Sequence, residues 1–207
     1  MLDTTYLPSE ILAIILSEVA SDDNDNDKTL AALASCRLTS HVLCSLATPL
    51  FFSSIRLTNI AVNDDRFFVK RVTKLNEILT NYNIAASVNT LTLCCRPPTL
   101  EDSKNGTLIS TILRRLPHIR NFSLEAFSYN SCFPSFTEEF ASAIRALCRS
   151  PNLTTLYLNS IRDFPFTAIM GCPNLQSLRL RGVTAFEVNF IFPALFRNDS
   201  LYFSSTT

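Results

Sequence analysis

Apolar residues recur along this chain with two different periods, and the change from one to the other divides it. Over the first fifty residues the period is helical. Ile11, Leu12, Ile15, Leu16 and Val19 fall on one side of a helix. Pro8, whose φ is preset and which has no N–H to lose, suits the first turn, where Glu10 meets the positive end of the helix dipole. The spacing predicts a second short helix over 29–34, with Leu30, Leu33 and Ala34 inward. A third is predicted over 40–47, with Leu43 and Leu46 inward and Pro49 as its stop. Between the first two, the run from Ser21 to Asp27 has nothing to bury and repels itself, so a solvated loop is expected. It lacks the turn glycine and the in-register bidentate Glu of a calcium loop.

From Ser54 to Thr58 the alternation is that of a half-buried strand. An amphipathic helix follows over 65–82, capped by Asn63 or Asp64. It turns Phe68, Val72, Leu75, Ile78, Leu79 and Tyr82 inward and Lys70, Arg71, Lys74 and Glu77 to water. One spacing then appears four times: Val88-x-x-Leu91-x-Leu93, Ile119-x-x-Phe122-x-Leu124, Leu153-x-x-Leu156-x-Leu158 and Leu175-x-x-Leu178-x-Leu180. The last three copies follow Pro117, Pro151 and Pro173. The steps from Leu93 to Leu124, Leu158 and Leu180 are 31, 34 and 22 residues, within the range of strand-plus-helix repeats. Helical stretches lie between, one with Leu108, Ile109, Ile112, Leu113 and Leu116 inward, the next with Phe136, Phe140, Ile144, Leu147 and Cys148.

Side chains alternate across a strand, so the residues between the leucines share the opposite face. That outward row runs Ser54, Arg56, Thr58, Thr90, Thr92, Asn121, Ser123, Glu125, Thr155, Tyr157, Asn159, Ser177, Arg179 and Arg181. Of these, Arg56, Glu125, Tyr157, Asn159, Arg179 and Arg181 are the candidate target-binding residues, because Tyr and Arg dominate interface energetics. Beyond Val183 an apolar tail over 186–207 carries no polar capping repeat, as a solenoid requires.

The head, with Leu7-Pro8-x-Glu10-Ile11-Leu12-x-x-Ile15, Leu30-x-x-Leu33-x-x-Cys36, Leu38-Thr39-Ser40 and Leu46-Ala47-x-Pro49-Leu50-Phe51, resembles an F-box. The repeats resemble a leucine-rich array of the fungal F-box type. The resemblance implies a mixed α/β chain: a three-helix F-box module over 5–52, then an irregular leucine-rich-repeat solenoid with a parallel sheet over 53–185. It implies binding to the SKP-type adaptor of a cullin-RING ubiquitin ligase through Leu7, Pro8, Glu10, Ile11, Ile15, Leu33, Cys36 and Leu43, with the repeats holding a target protein. Leu12, Leu16 and Leu46 are expected in the head's own core. A degenerate F-box serving only as a structural cap on a repeat scaffold is the alternative. The repeat family usually sets Asn or Cys three positions after the last leucine. Here Phe127, Ile161 and Val183 stand there, which implies an apolar packed spine in place of a hydrogen-bonded one.

Composition narrows the remaining chemistry. Hydrophobic residues make up 47% and charged ones 17%, so burial drives folding. With 18 basic and 18 acidic side chains the chain lacks the electrostatic footprint of a nucleic-acid binder. No signal-like N-terminus or bilayer-length apolar run occurs, and the expected place is cytoplasm or nucleus, with no membrane partner. Seven cysteines without a C-x-x-C pair argue against a disulfide framework or zinc knuckle. Three isolated glycines cannot cradle a phosphate as a glycine-rich loop does. His41 and His118 have no evident catalytic partner, and His118 occupies the turn slot held by Asn152 and Asn174 in the related copies. Neither an enzyme nor a cofactor is expected.

Overall fold

The computed structural model describes residues 7–21, 26–59, 65–81, 84–127, 131–183 and 201–204. The chain divides into two compact units, Met1–Ser54 and Ile55–Thr207. The sequence-based boundary lies after residue 52.

The first unit holds α1 (Ser9–Ser21), α2 (Asn26–Thr39) and α3 (His41–Phe51). Pro8 contributes its carbonyl, which accepts from the Ile11 and Leu12 N–H groups at 3.1 Å each, and so stands at the entrance to α1. Helix α2 starts three residues before the predicted Thr29, because Asp27 in its first turn complements the dipole. The core of the predicted acidic loop lies outside the described residues. Ser40 caps α3, its hydroxyl accepting from the Leu43 N–H at 3.2 Å.

Pro49 does not stop α3 but lies inside it. A proline this close to a helix end removes one hydrogen bond, to the Ser45 carbonyl, and both residues are exposed, so water replaces the lost donor. The end of the helix is held from elsewhere. The Arg37 guanidinium lies 4.8 Å from the Phe51 ring centre and 5.2 Å from that of Phe52, and its Nε donates to Thr48 Oγ1 at 3.1 Å.

In the second unit the order is β1 (Ser54–Asn59), α4 (Asp65–Asn81), β2 (Thr90–Cys95), α5 (Pro97–Glu101), α6 (Ser103–Arg115), β3 (Asn121–Ala126) and β4 (Ser131–Cys132). Then come α7 (Glu138–Cys148), β5 (Thr155–Asn159), β6 (Ile161–Arg162), α8 (Phe166–Met170), β7 (Ser177–Arg181) and β8 (Leu201–Ser204). Six strands form one sheet in the order β1-β2-β3-β5-β7-β8, and the five from β2 to β8 are parallel. Strands β4 and β6 pair separately. On the back, α4 packs on α6, α6 on α7 and α7 on α8.

The recurring apolar pattern sets the register. Leu91, Phe122, Leu156, Leu178 and Leu201 are consecutive partners across the sheet, as are Leu93, Leu124, Leu158, Leu180 and Phe203. All the leucines and Phe122 between Leu91 and Leu180 in these rows are buried. So are Phe68 and Val72 on α4, Ile109 and Ile112 on α6, and Phe140 and Ile144 on α7. An aromatic run fixes the connections: Phe133 lies 4.8 Å from Phe164 and 5.5 Å from Phe136, which lies 5.6 Å from Phe140.

The turns before the strands repeat as closely as the strands do. The Asn89 carbonyl accepts from the Arg120 and Asn121 N–H groups, that of Arg120 from Thr154 and Thr155, and that of Thr154 from Gln176 and Ser177. After the strands, Ser160 and Gly182, each two residues past the last leucine, share φ of 58°. The expected apolar spine forms only in part: Ile161 is buried, but Phe127 is half exposed and Val183 half-buried. A side-chain amide ladder between copies forms at the other end of the strands, where Asn152 Nδ2 donates to the Pro117 carbonyl at 2.8 Å and Asn174 Nδ2 to that of Pro151 at 2.7 Å.

Most of the apolar tail lies outside the described residues, as do Asn63, Asp64 and Tyr82. Leu201–Ser204 adds a strand beside β7.

Candidate functional site

Two surfaces collect the residues that sequence reasoning singled out. The first is on the head. Its three helices close around Leu16, Leu33 and Ala47, with Val19, Ala20, Cys36, Leu43, Leu46, Leu50 and Phe51 packed against them. Leu33, at 1% exposure, is the centre of this core and presents nothing to a second chain. Cys36 and Leu43 also turn toward it. The expected adaptor-facing set therefore separates. Leu7, Pro8, Glu10, Ile11 and Ile15 stand at the surface, and Leu33, Cys36 and Leu43 build the bundle that presents them.

The exposed part is a continuous apolar strip. Leu7 is 56% exposed, Ile11 42%, Ile14 59% and Ile15 47%. Ile14, not picked out from the sequence, is the most exposed of the four. The single apolar side expected of α1 is divided: Leu16 turns into the bundle, while Ile11 and Ile15, grouped with it by spacing, stand outward with Ile14, so the helix is apolar on both sides. Leu38 at the end of α2 and Val42 at the start of α3 are exposed as well.

The second surface is the open face of the sheet. Thr92, Ser123, Tyr157, Arg179 and Tyr202 are register partners in one row, and Cys94, Glu125, Asn159, Arg181 and Ser204 in the next. Arg56 reaches the second row from β1, its guanidinium 3.7 Å from Cys94 Sγ. All six candidate target-binding residues thus lie on one face. Tyr157, Glu125 and Asn159 are half-buried, and Arg56, Arg179 and Arg181 exposed.

Cys94 was absent from the predicted row, because its position reads as polar while its side chain is apolar. It is fully buried beneath its neighbours. Desolvation first, and the Glu125 carboxylate second, raise its thiol above the ordinary value, against the Arg56 hydrogen bond. A neutral thiol there fills space. Behind it Cys95 is pushed up to about 12 by burial. Among the described residues no cluster of three or more His, Cys, Asp or Glu side chains is arranged to hold a metal ion, and no helix is long and apolar enough to cross a membrane.

Compared with protein-family models, with curated proteins and with solved structures, the chain shows no match.

Proposed function

We propose that the chain is the substrate-receptor subunit of an SCF-type cullin-RING ubiquitin ligase. On this reading residues up to about Phe51 are an F-box that docks an SKP-type adaptor, and the strands and helices after it are irregular leucine-rich repeats whose open face holds a target protein. The receptor has no chemistry of its own: it brings the target near the recruited machinery, and proximity does the rest. Its place of work is the cytoplasm or nucleus.

One observation carries the reading: α1 is apolar on both sides. Leu16 faces inward at 3% exposure, while Leu7, Ile11, Ile14 and Ile15 face outward and are each more than two-fifths exposed. A bundle of this size buries only about 60% of its unfolded surface and gains from a partner on that strip. Tyr157, Arg179 and Arg181, in line on adjacent strands, support a second contact with the target.

The test is co-elution of the purified chain with an SKP-type adaptor on size exclusion. Wild type should co-elute. Ile11→Asp with Ile15→Asp should weaken the complex roughly a thousandfold, two anchors at about 2 kcal/mol each, with an unchanged circular dichroism spectrum. Retained co-elution by the double variant rejects the reading. So does a lowered melting temperature with no adaptor bound by the wild type, the result expected of a cap on a repeat scaffold.

A further inference from the structure

A cleft of about 430 Å³ opens beside the turns that precede the strands, lined by Ala86, Ser87, Asn89, His118, Arg120 and Asn152. It lies where the asparagine ladder lapses. The steps of 31 and 34 residues that relate the repeats also relate Ala86, Pro117 and Pro151, and likewise Ser87, His118 and Asn152. Asn152 and Asn174 each bond the preceding Pro carbonyl. His118, in the same slot, makes no such bond to Ala86 among the described residues, and the space between the two turns stays open.

What lines that space is one-sided. No carboxylate is among the lining residues. Arg120 is anchored through its backbone, its N–H donating to Asn89 O at 2.7 Å and its carbonyl accepting from Thr154 and Thr155 at 2.8 and 2.9 Å. Its exposed guanidinium has no partner among the described residues. His118, Ser87 and Asn89, which line the same cleft, carry an imidazole, a hydroxyl and an amide, each able to donate. A planar carboxylate would occupy the guanidinium fork alone, whereas a tetrahedral group offers oxygens to donors on several sides.

The geometry points to a binding site for a phosphate group in this cleft, with Arg120 as the charge anchor and His118 as the residue that keeps the space open. Phosphate binding here does not depend on the proposed docking of the head. Two sources share the chemistry, free inorganic phosphate and a small organic phosphate ester. The volume exceeds what one phosphate group fills.

The experiment follows backbone amides of the full ¹⁵N-labelled chain by NMR at constant ionic strength, titrating inorganic phosphate, glycerol phosphate and acetate separately. Expected are saturable shifts at Asn89 and Arg120 with Kd on the order of 1 mM for at least one phosphate. Arg120→Gln should weaken binding roughly tenfold through loss of a charge-assisted bond. His118→Asn, which supplies the missing ladder amide and closes the cleft, should abolish saturation without lowering the melting temperature. The tighter of the two phosphates identifies the source. Shifts that never saturate, affinity untouched by Arg120→Gln, or acetate bound as tightly as phosphate would each overturn the site.

Discussion

Gly106 closes the first turn of α6, its N–H donating to the Asp102 carbonyl at 2.8 Å, and at a helical position alanine would ordinarily be better by about 1 kcal/mol. Here the sign reverses. A Cβ at 106 would collide with Thr137 Oγ1 and stand 3.0 Å from Thr137 Cβ, and Thr137 is the residue whose hydroxyl caps α7 by accepting from the Phe140 N–H. Gly106→Ala should therefore destabilise the second unit by about 1–3 kcal/mol, through overpacking and a disturbed cap. The midpoint of urea unfolding measures it. A second single-residue consequence concerns Cys95, whose thiol is raised from the ordinary 9.0 to about 12 by burial. The folded chain keeps that proton while the unfolded chain releases it. Its contribution to stability is thus complete below pH 9.0 and is lost as pH rises toward 12. Unfolding midpoints measured across that window should fall less steeply in Cys95→Ala than in wild type. The inward placement of Leu91 and Leu93 was read from the sequence, that of Cys95 was not. Cys94 was not placed either: it is buried at a position of the outward parity, with the Arg56 guanidinium from another strand 3.7 Å from its sulfur.

Elements were legible where one period ran long enough. The helix from Asp65 and the repeated strands follow the apolar spacing closely, since each has a single buried face to satisfy. Boundaries set by one or two residues were less legible. Pro49 reads as a stop, yet it costs one exposed hydrogen bond that Arg37 and the two phenylalanines outweigh. Phe127, Ile161 and Val183 read as a spine, but the side-chain amide ladder between copies is made by Asn152 and Asn174, in the slot where the sequence offered only a turn. Removing one such bond should cost about 1 kcal/mol. Asn152→Ala and Asn174→Ala are each expected to lower the unfolding free energy by that amount, read from the fall in urea midpoint at unchanged m. Asn152→Asp, which cannot donate to the carbonyl, should do no better than alanine.

For the chain as an assembled object, repetition in the sequence translated into repetition in space: four copies of one spacing became adjacent parallel strands with matched leucines. The two surfaces differ in how they could be read. The row on the sheet follows from alternation alone, because neighbouring strands carry the same residue parity. The strip on the head needed the bundle to be built first. Only with Leu33, Cys36 and Leu43 committed to its interior does it become plain that Ile14, and not those three, belongs with Leu7, Ile11 and Ile15. The cleft at His118 was the least legible feature, since it arises from the stacking of turns that are 31 and 34 residues apart.

The steps between copies are unequal, 31, 34 and then 22 residues, yet Leu93, Leu124, Leu158 and Leu180 stay level across the sheet. All of the inequality is taken up behind, where α5 with α6, then α7, then the short α8 return the chain. Front and rear are in this respect decoupled: insertions or deletions in the return segments can thicken or thin the back while the order in which Glu125, Asn159 and Arg181 are displayed is left as it was.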